Sequence, residues 1–265
     1  MNIPLSTENM LAEIDGSIGW MTFNKPARRN AVSLDMWEAM PAILDRFEAD
    51  PAIRVIVLKG AGDQAFVSGA DISQFEKARS SREGNAYYDA ISGEASRRLI
   101  ACSKPTIAMI RGFCIGGGLA IAIGCDIRIA TEGARFGIPA ARLGVGYGSS
   151  GVKKLMELVG PSFTKEIFFT ARHFSASEAR EMGLVNRVVA DAALENLTRQ
   201  YCAAIGDNAP MTIHALKRTV NELVRGEQAD LEACERLVQA CFDSEDYVEG
   251  RRAFMEKRRP TFRGV

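Results

Sequence analysis

Three consecutive glycines, Gly116-Gly117-Gly118, separate an apolar run, Thr106-Ile107-Ala108-Met109-Ile110, from a second apolar segment, residues 119–124, that contains no proline. The run before them reads as a buried strand, and the segment after them, apolar on every side, as a buried helix. Glycine has no Cβ, so the backbone between the two turns sharply and approaches other groups closely. A strand, a bare turn and a helix start bring free N–H groups together with the positive end of the helix dipole. That combination favours an anionic oxygen.

The rest of the chain follows the same strand–turn–helix alternation. Residues 10–24 alternate around Asp15-Gly16 and predict a hairpin. The polar, basic stretch 24–31 reads as a loop. Ser33 is placed to cap a helix over 34–49, with Met36, Met40, Ile43, Leu44 and Phe47 on one face and Asp50-Pro51 ending it. Val55-Ile56-Val57-Leu58 reads as a buried strand, and residues 65–72 as a second passage from strand to glycine turn. Residues 77–85 are charged and Ser-rich and predict an exposed, mobile segment, followed by a helix over 86–101. Further strands are predicted at 127–130, 135–140 and 185–189. Helices are predicted at 152–159 and 162–170, and a capping box, Ser175-Ala176-Ser177-Glu178, opens a short one. From residue 192 onward only helical periodicity remains, at 192–205, 211–225, 230–242 and 246–257. The fold class is therefore α/β, with a core over 1–195 and a helical region over 196–265.

The chain's 265 residues carry 33 basic and 33 acidic side chains, a balance that gives no case for nucleic acid or an anionic membrane as partner. The first residues have no basic and apolar leader pattern, and no apolar run is long enough to span a bilayer. A cytoplasmic location is expected. The six cysteines form no CxxC pair and read as reduced thiols. Two histidines, His173 and His214, give no metal-ligand spacing, and GxSxG does not occur; no metal is expected.

Two passages share one character: Ser68-Gly69-Ala70-Asp71 and Gly116-Gly117-Gly118 each lead a strand through glycine towards a helix. If both open on one side of a sheet, an N–H from each converges on one oxygen, as in an oxyanion hole; otherwise the glycines serve packing alone. Losing one donor of such a hole costs roughly 3–4 kcal/mol of transition-state stabilisation.

The chain resembles the crotonase, or enoyl-CoA hydratase/isomerase, superfamily. The resemblance is carried by Asn24-Lys25-Pro26 with Asn30-Ala31, Phe66-Val67-Ser68-Gly69-Ala70-Asp71-Ile72, Lys104-Pro105-Thr106-Ile107-Ala108 and Gly112-Phe113-Cys114-Ile115-Gly116-Gly117-Gly118. It continues through Cys125-Asp126-Ile127-Arg128-Ile129-Ala130, Phe136-Gly137-Ile138-Pro139, Leu143-Gly144, residues 179–186 and Phe254-Met255-Glu256-Lys257-Arg258. It implies a spiral of ββα units with a C-terminal helical trimerisation region, assembled as a trimer or a dimer of trimers. It also implies an acyl-CoA substrate of fatty acid metabolism, with coenzyme A as part of that substrate and no tightly bound cofactor. The thioester carbonyl would sit between the backbone N–H groups of Ala70 and Gly117. Contacts to the CoA and acyl parts would come from Lys25, Ala27, Arg28, Arg29, Ser68, Ala70, Asp71, Ile72, Phe113, Gly116, Gly117, Ala120 and Ala140, and from Phe254 and Lys257 of a neighbouring subunit.

Two positions depart from the pattern. A hydratase of this superfamily places one glutamate two residues after the triple glycine and one directly after the Phe-Gly-x-Pro proline; here these are Ala120 and Ala140. General acid–base assistance is worth roughly 10²–10⁴-fold per group, so efficient hydration by that route is not expected. Asp71 reads as a helix cap and Asp126 as a structural carboxylate. Cys114 reads as a small core residue, and both histidines as structural. The segment Leu143-Gly144-Val145-Gly146-Tyr147 is similar to the methylmalonyl-CoA decarboxylase branch, which has a tyrosine at the place of Tyr147, although Ala70 stands where that branch has histidine. Tyr147 is either a proton donor or an aromatic wall of the acyl pocket. The chain is therefore expected to be a lyase or isomerase of enoyl-CoA hydratase type acting through a thioester enolate. The alternatives are a malonyl-type acyl-CoA decarboxylase using Tyr147 and an acyl-CoA-binding protein without turnover.

Overall fold

The computed structural model describes residues 1–71 and 82–265. The chain opens with β1 (Asn2–Ile3), the hairpin β2 (Met10–Asp15) and β3 (Ile18–Phe23), and helix α1 (Leu34–Ala49). Three ββα units follow. The first is β4 (Val55–Gly60), β5 (Ala65–Val67) and α2 (Arg82–Ala101). The second is β6 (Thr106–Ile110), β7 (Phe113–Ile115) and α3 (Gly117–Gly124). The third is β8 (Ile127–Thr131), β9 (Arg135–Gly137) and α4 (Ser149–Thr170). The first strand of each unit enters a large sheet, and the second enters a small one. With β10 (Phe174–Ser175), α5 (Ala176–Glu181) and β11 (Arg187–Val189), the orders are β1-β2-β3-β4-β6-β8-β11 and β10-β9-β7-β5. Strands β4, β6 and β8 run parallel, as do β5, β7 and β9, so each unit is one turn of a spiral of ββα units.

Strand periodicity sorts the core. Successive side chains point to opposite faces of a sheet. One face of the large sheet carries Ile18, Trp20, Val55, Val57, Ile107, Met109 and Ile129, covered by Leu194 and Cys202 of α6 (Leu194–Gly206). The other face carries Met21, Phe23, Ile56, Leu58, Ala108, Ile110 and Ala130, and meets α1 and the small sheet in the main core. Gly19 allows α1 to sit close, since a Cβ there would lie 2.9 Å from the Phe47 ring. Helices α7 (Pro210–Val224), α8 (Leu231–Phe242) and α9 (Glu245–Glu256) complete the C-terminal region.

Some local expectations change. Residues 113–115, predicted as part of the glycine turn, form β7, because pairing with β5 and β9 outweighs the neighbouring glycines. The strand expected over 135–140 stops at Gly137, and Pro139–Leu143 forms a 3-10 turn, since proline cannot donate to a ladder. Helix α2 starts at Arg82 rather than 86, so residues 82–85 are helical; residues 77–81 of the predicted exposed segment lie outside the described residues. The two helices expected around residue 160 run on as α4, but Gly160 holds a non-helical backbone (φ 74°, ψ 170°) before Pro161, so the break is physical.

Candidate active site

Strands β5 and β7 are parallel neighbours, so their C-terminal ends open on the same side. The end of β5 is fixed by the loop before α1: Val32 N donates to Gly69 O (2.8 Å), and Asp71 N donates to Val32 O (2.9 Å). In such a parallel bridge the residue between the two bonded groups points its own N–H away from the partner. Ala70 N–H therefore faces away from Val32, towards the start of α3. A Cβ placed on Gly117 would lie 3.9 Å from Ala70 N, 3.3 Å from Val32 Cγ1 and 3.6 Å from Trp37 Cζ2. Gly117 is the first residue of α3, where an N–H has no acceptor within the helix. Among the described residues neither amide meets a backbone acceptor outside its own element. Two N–H donors thus lie near one another at the start of α3, where Gly117 adds no side chain of its own.

The turn that sets this geometry depends on glycine at two places. Gly116 adopts φ +53° and ψ −114°, while its N–H donates to Gly137 O (2.8 Å) at the end of β9. Gly118 lets α3 press on β5, since a Cβ there would fall 2.1 Å from Val67 O. The far end of α3 is equally determined. Arg128 is 3% exposed, and its guanidinium donates to Cys125 O (2.6 Å), Ala122 O (3.3 Å), Asp126 O (3.4 Å) and Leu184 O (2.8 Å). Burial pulls its pKa down from the usual arginine value. A cation at a helix C-terminus complements the dipole whose positive end faces the two donors.

The positions expected to carry acid–base groups hold alanine. Ala120 is half-buried one turn into α3, and its N–H donates to Gly116 O (3.0 Å); Ala140, 8% exposed, lies in the turn after β9. Tyr147 packs edge-on against Phe168, with ring centroids 4.9 Å apart. Tyr147 is 36% exposed, and burial first, then the Tyr88 hydroxyl, push its phenol up to about 12. Tyr88, on α2, accepts a 2.8 Å hydrogen bond from Trp37 Nε1 of α1. Sequence periodicity left out Trp37, although its spacing to Met40 and Leu44 places it on the apolar face of α1. Nothing local in the sequence marks its pairing with Tyr88.

The loop over residues 24–31 is fastened to the same strand end. Ser68 N donates to Arg29 O (3.1 Å), and Lys25 Nζ donates to Asp71 Oδ2 (2.6 Å). Asp71 is thus an ion-pair partner of Lys25, and the helix it was expected to cap lies outside the described residues. Ala27 and Arg28 are exposed in the 3-10 turn Pro26–Arg28, and the Arg29 guanidinium stands 5.2 Å from the Phe113 ring centre. Phe113 also packs edge-on to His173. Ile72 lies outside the described residues. Phe254, 83% exposed, and Lys257 are open to solvent at the end of α9. Arg258 is held by both Glu249 oxygens (2.6 and 2.9 Å).

Asp126 is structural: its Oδ2 accepts from Thr106 N (2.7 Å), Thr106 Oγ1 (3.0 Å) and Lys217 Nζ (2.7 Å). Cys114 is fully buried, and burial raises its thiol well above the usual range, as it raises Cys125 to about 12. Such thiols are not nucleophiles. Among the described residues there is no cluster of three metal-ligating side chains and no helix long and apolar enough to cross a membrane.

Comparison with known proteins gives one consistent result. The profile of the Enoyl-CoA hydratase/isomerase family matches residues 13–265. A short-chain-enoyl-CoA hydratase of Clostridium acetobutylicum is 36% identical over 259 residues, covering 96% of this chain and 97% of that protein. A crotonyl-CoA hydratase of Syntrophomonas wolfei is 33% identical over 97% of this chain and 99% of that one. Among solved structures, an enoyl-CoA hydratase/carnithine racemase from Magnetospirillum magneticum superimposes with a TM-score of 0.92 at 34% identity, covering 98% of this chain and 97% of its own. By its ββα spiral, its paired glycine turns and its match to the family over nearly the whole chain, the protein belongs to the enoyl-CoA hydratase/isomerase family.

Proposed function

We propose that this chain binds an acyl-CoA thioester, receives the thioester oxygen between the amides of Ala70 and Gly117, and acts through the enolate so stabilised. The observation that supports the reading is that Ala70 N lies 3.9 Å from where a Gly117 Cβ would stand, at the start of α3. Negative charge that builds on the oxygen meets two preorganised donors and the positive end of α3, so the enolate gains more than the ground-state thioester. The loop over 24–31 and the β5 end, with Lys25, Ala27, Arg28, Arg29, Ser68, Asp71 and Ile72, form the CoA side of the site; Phe113, Ala120 and Ala140 line the acyl side. Phe254 and Lys257 are placed to serve a neighbouring copy in a homotrimer or dimer of trimers.

Alanine moves no proton. With Ala120 and Ala140 at the positions of the expected glutamates, the reaction is a lyase or isomerase step other than efficient water addition. A second reading uses Tyr147, whose phenol is a neutral donor at ordinary pH. In decarboxylation of a malonyl-type thioester, the bond from Cα to the carboxylate breaks and CO₂ leaves. The electron pair passes to the thioester oxygen, and Cα then takes a proton from solvent. No base is needed for the bond-breaking step, and the Tyr147 hydroxyl serves to hold the departing carboxylate.

One experiment separates the readings. The purified protein is incubated with crotonyl-CoA, following loss of the enoyl-thioester absorbance, and with methylmalonyl-CoA, following CO₂. We expect little hydration of crotonyl-CoA; turnover equal to that of a glutamate-bearing hydratase would contradict the roles given to Ala120 and Ala140. Release of CO₂ that Tyr147→Phe lowers at least about tenfold supports decarboxylation, and full activity in that variant removes Tyr147 from the mechanism. Binding with no turnover of either thioester would make the chain an acyl-CoA-binding protein.

A further inference from the structure

Away from the two amides, a cleft of about 260 Å³ lies where the end of α1, the turns into β4 and β6, the start of α7 and the C-terminal tail meet. None of the residues proposed to hold a thioester lines it, but three cations do: Arg54, Lys104 and Arg263. Arg54 Nη2 donates to Phe262 O (2.7 Å), while its Nε and Nη1 meet no acceptor among the described residues; Nη1 stands 3.9 Å from where a Gly264 Cβ would be. Lys104 Nζ donates to Phe47 O (2.6 Å) and Asp50 O (2.5 Å), which leaves one ammonium proton of three. The Arg263 side chain is exposed and has no acceptor among the described residues. Nearby carboxylates are engaged already. Glu48, the one acid in the lining among the described residues, accepts from Ser103 and Arg98. Asp246 accepts from Arg263 N (2.7 Å) and Gly264 N (2.8 Å), and Asp50 from Ala52 N (2.9 Å). Burial first, and Arg54 with it, lower the Lys104 ammonium from its usual value against the pull of Asp50. Much of the remaining wall is apolar, from Ile53, Ile205, Met211 and Ile213.

We propose that this cleft is a second ligand site, for a small aliphatic carboxylate whose charge is held by Arg54, Lys104 and Arg263 and whose chain lies on the isoleucine and methionine wall. It stands independently of the acyl-CoA reading above. The guanidinium fork matches the two oxygens of a carboxylate. An anion set among the three cations relieves their mutual repulsion. An alkyl chain leaves water for the apolar wall, which a bare inorganic anion would leave uncovered.

His214 gives the test its readout. It lines the cleft, half-buried and without a hydrogen-bond partner among the described residues, and the chain has one other histidine, His173, which packs on Phe113. The full chain is prepared with ¹³C-labelled histidine, and its two ring signals are followed by NMR during titration with hexanoate, hexanamide and inorganic phosphate. Hexanoate should shift His214 saturably and leave His173 in place. Hexanamide, which lacks the charge, and phosphate, which lacks the chain, should each bind at least about tenfold more weakly. Arg54→Met and Arg263→Met should each weaken hexanoate by at least about tenfold. Arg263→Met changes an exposed side chain with no partner to lose, so it decides the matter where Arg54→Met disturbs the tail. No saturable shift of His214, a shift confined to His173, hexanamide or phosphate binding as tightly as hexanoate, or full affinity in Arg263→Met would each overturn the proposal.

Discussion

Two adjacent glycines in α3 perform different tasks, and substitution tells them apart. A methyl group on Gly117 meets Val32 and Trp37 at 3.3 and 3.6 Å, contacts that neighbours absorb, and it fills the space in front of Ala70 N. A methyl group on Gly118 falls 2.1 Å from Val67 O, which is backbone and cannot yield. Gly117→Ala is therefore expected to leave the melting temperature nearly unchanged, helped by alanine's better helix propensity. Its turnover should fall roughly 10²-fold or more, as for loss of an oxyanion donor. Gly118→Ala should instead lower stability by several kcal/mol, on the order of other overpacked sites. Calorimetric melting with turnover in both variants checks the pair. At this scale the sequence was informative: Ala70 and Gly117 are legible as a motif. Their proximity is not, because it depends on β5 and β7 being neighbours, and β7 itself was hidden among glycines. The Trp37–Tyr88 bond was not legible either, since it joins two helices through tertiary packing alone.

Elements hold these residues in place. Helix α3 is short, and its end is secured by Arg128, whose guanidinium serves carbonyls from Ala122, Cys125, Asp126 and Leu184. Arg128→Met keeps the stem and removes the donor to the Cys125 and Leu184 carbonyls, at about 1–3 kcal/mol for each one left buried, while Ala122 O keeps its bond from Cys125 N (3.2 Å). Urea unfolding should show a loss of at least about 2 kcal/mol; no loss would mean that water replaces the guanidinium.

Helix α5 supplies a pH test. Glu178 accepts from Ser175 N (2.8 Å), from Arg172 Nη1 (2.7 Å) and from Ser175 Oγ (2.8 Å), and these bonds lower its pKa from 4.5 to about 2. A carboxylate depressed on folding stabilises fully above its unfolded pKa, and that stability fades as pH falls through the folded value. Glu178→Gln should therefore melt below the unmodified protein at pH 7, with the gap closing as pH falls from about 4.5 towards 2. A gap independent of pH would show that the carboxylate charge is not what secures this helix start. The capping box was legible because all its parts lie within four residues, whereas the end of β9 at Gly137 was set by the proline turn behind it and the strands beside it.

Across the whole molecule, the C-terminal helices leave apolar side chains in solvent. Leu216, Val220 and Leu223 follow helical spacing along α7 and are each exposed, as are Phe242, Val248, Phe254 and Met255 beyond it. A stripe of this kind on a single chain marks a contact surface. The proposed homotrimer accounts for it, and sedimentation should give three copies or a multiple of three, with Val220→Glu shifting the mass towards one copy. A monomer in the unmodified protein would leave Phe254 and Lys257 without a neighbouring site to serve. The strand–helix alternation and the α7–α9 periodicity were legible in the chain, whereas the spiral of ββα units came only from the family resemblance. What those helices touch in the assembly depends on a second copy.

The central claim is that Ala70 and Gly117 polarise a thioester oxygen, and an infrared spectrum reads that directly. The measurement is the stretching frequency of a ¹³C-labelled thioester carbonyl in an acyl-CoA bound to the unmodified protein and to Gly117→Ala. Two N–H donors aimed at the oxygen weaken the C=O bond, so the bound frequency should fall below its value in water and recover most of the way in Gly117→Ala. A bound carbonyl at the frequency it has in water, or a lowered frequency that Gly117→Ala leaves in place, would contradict the account.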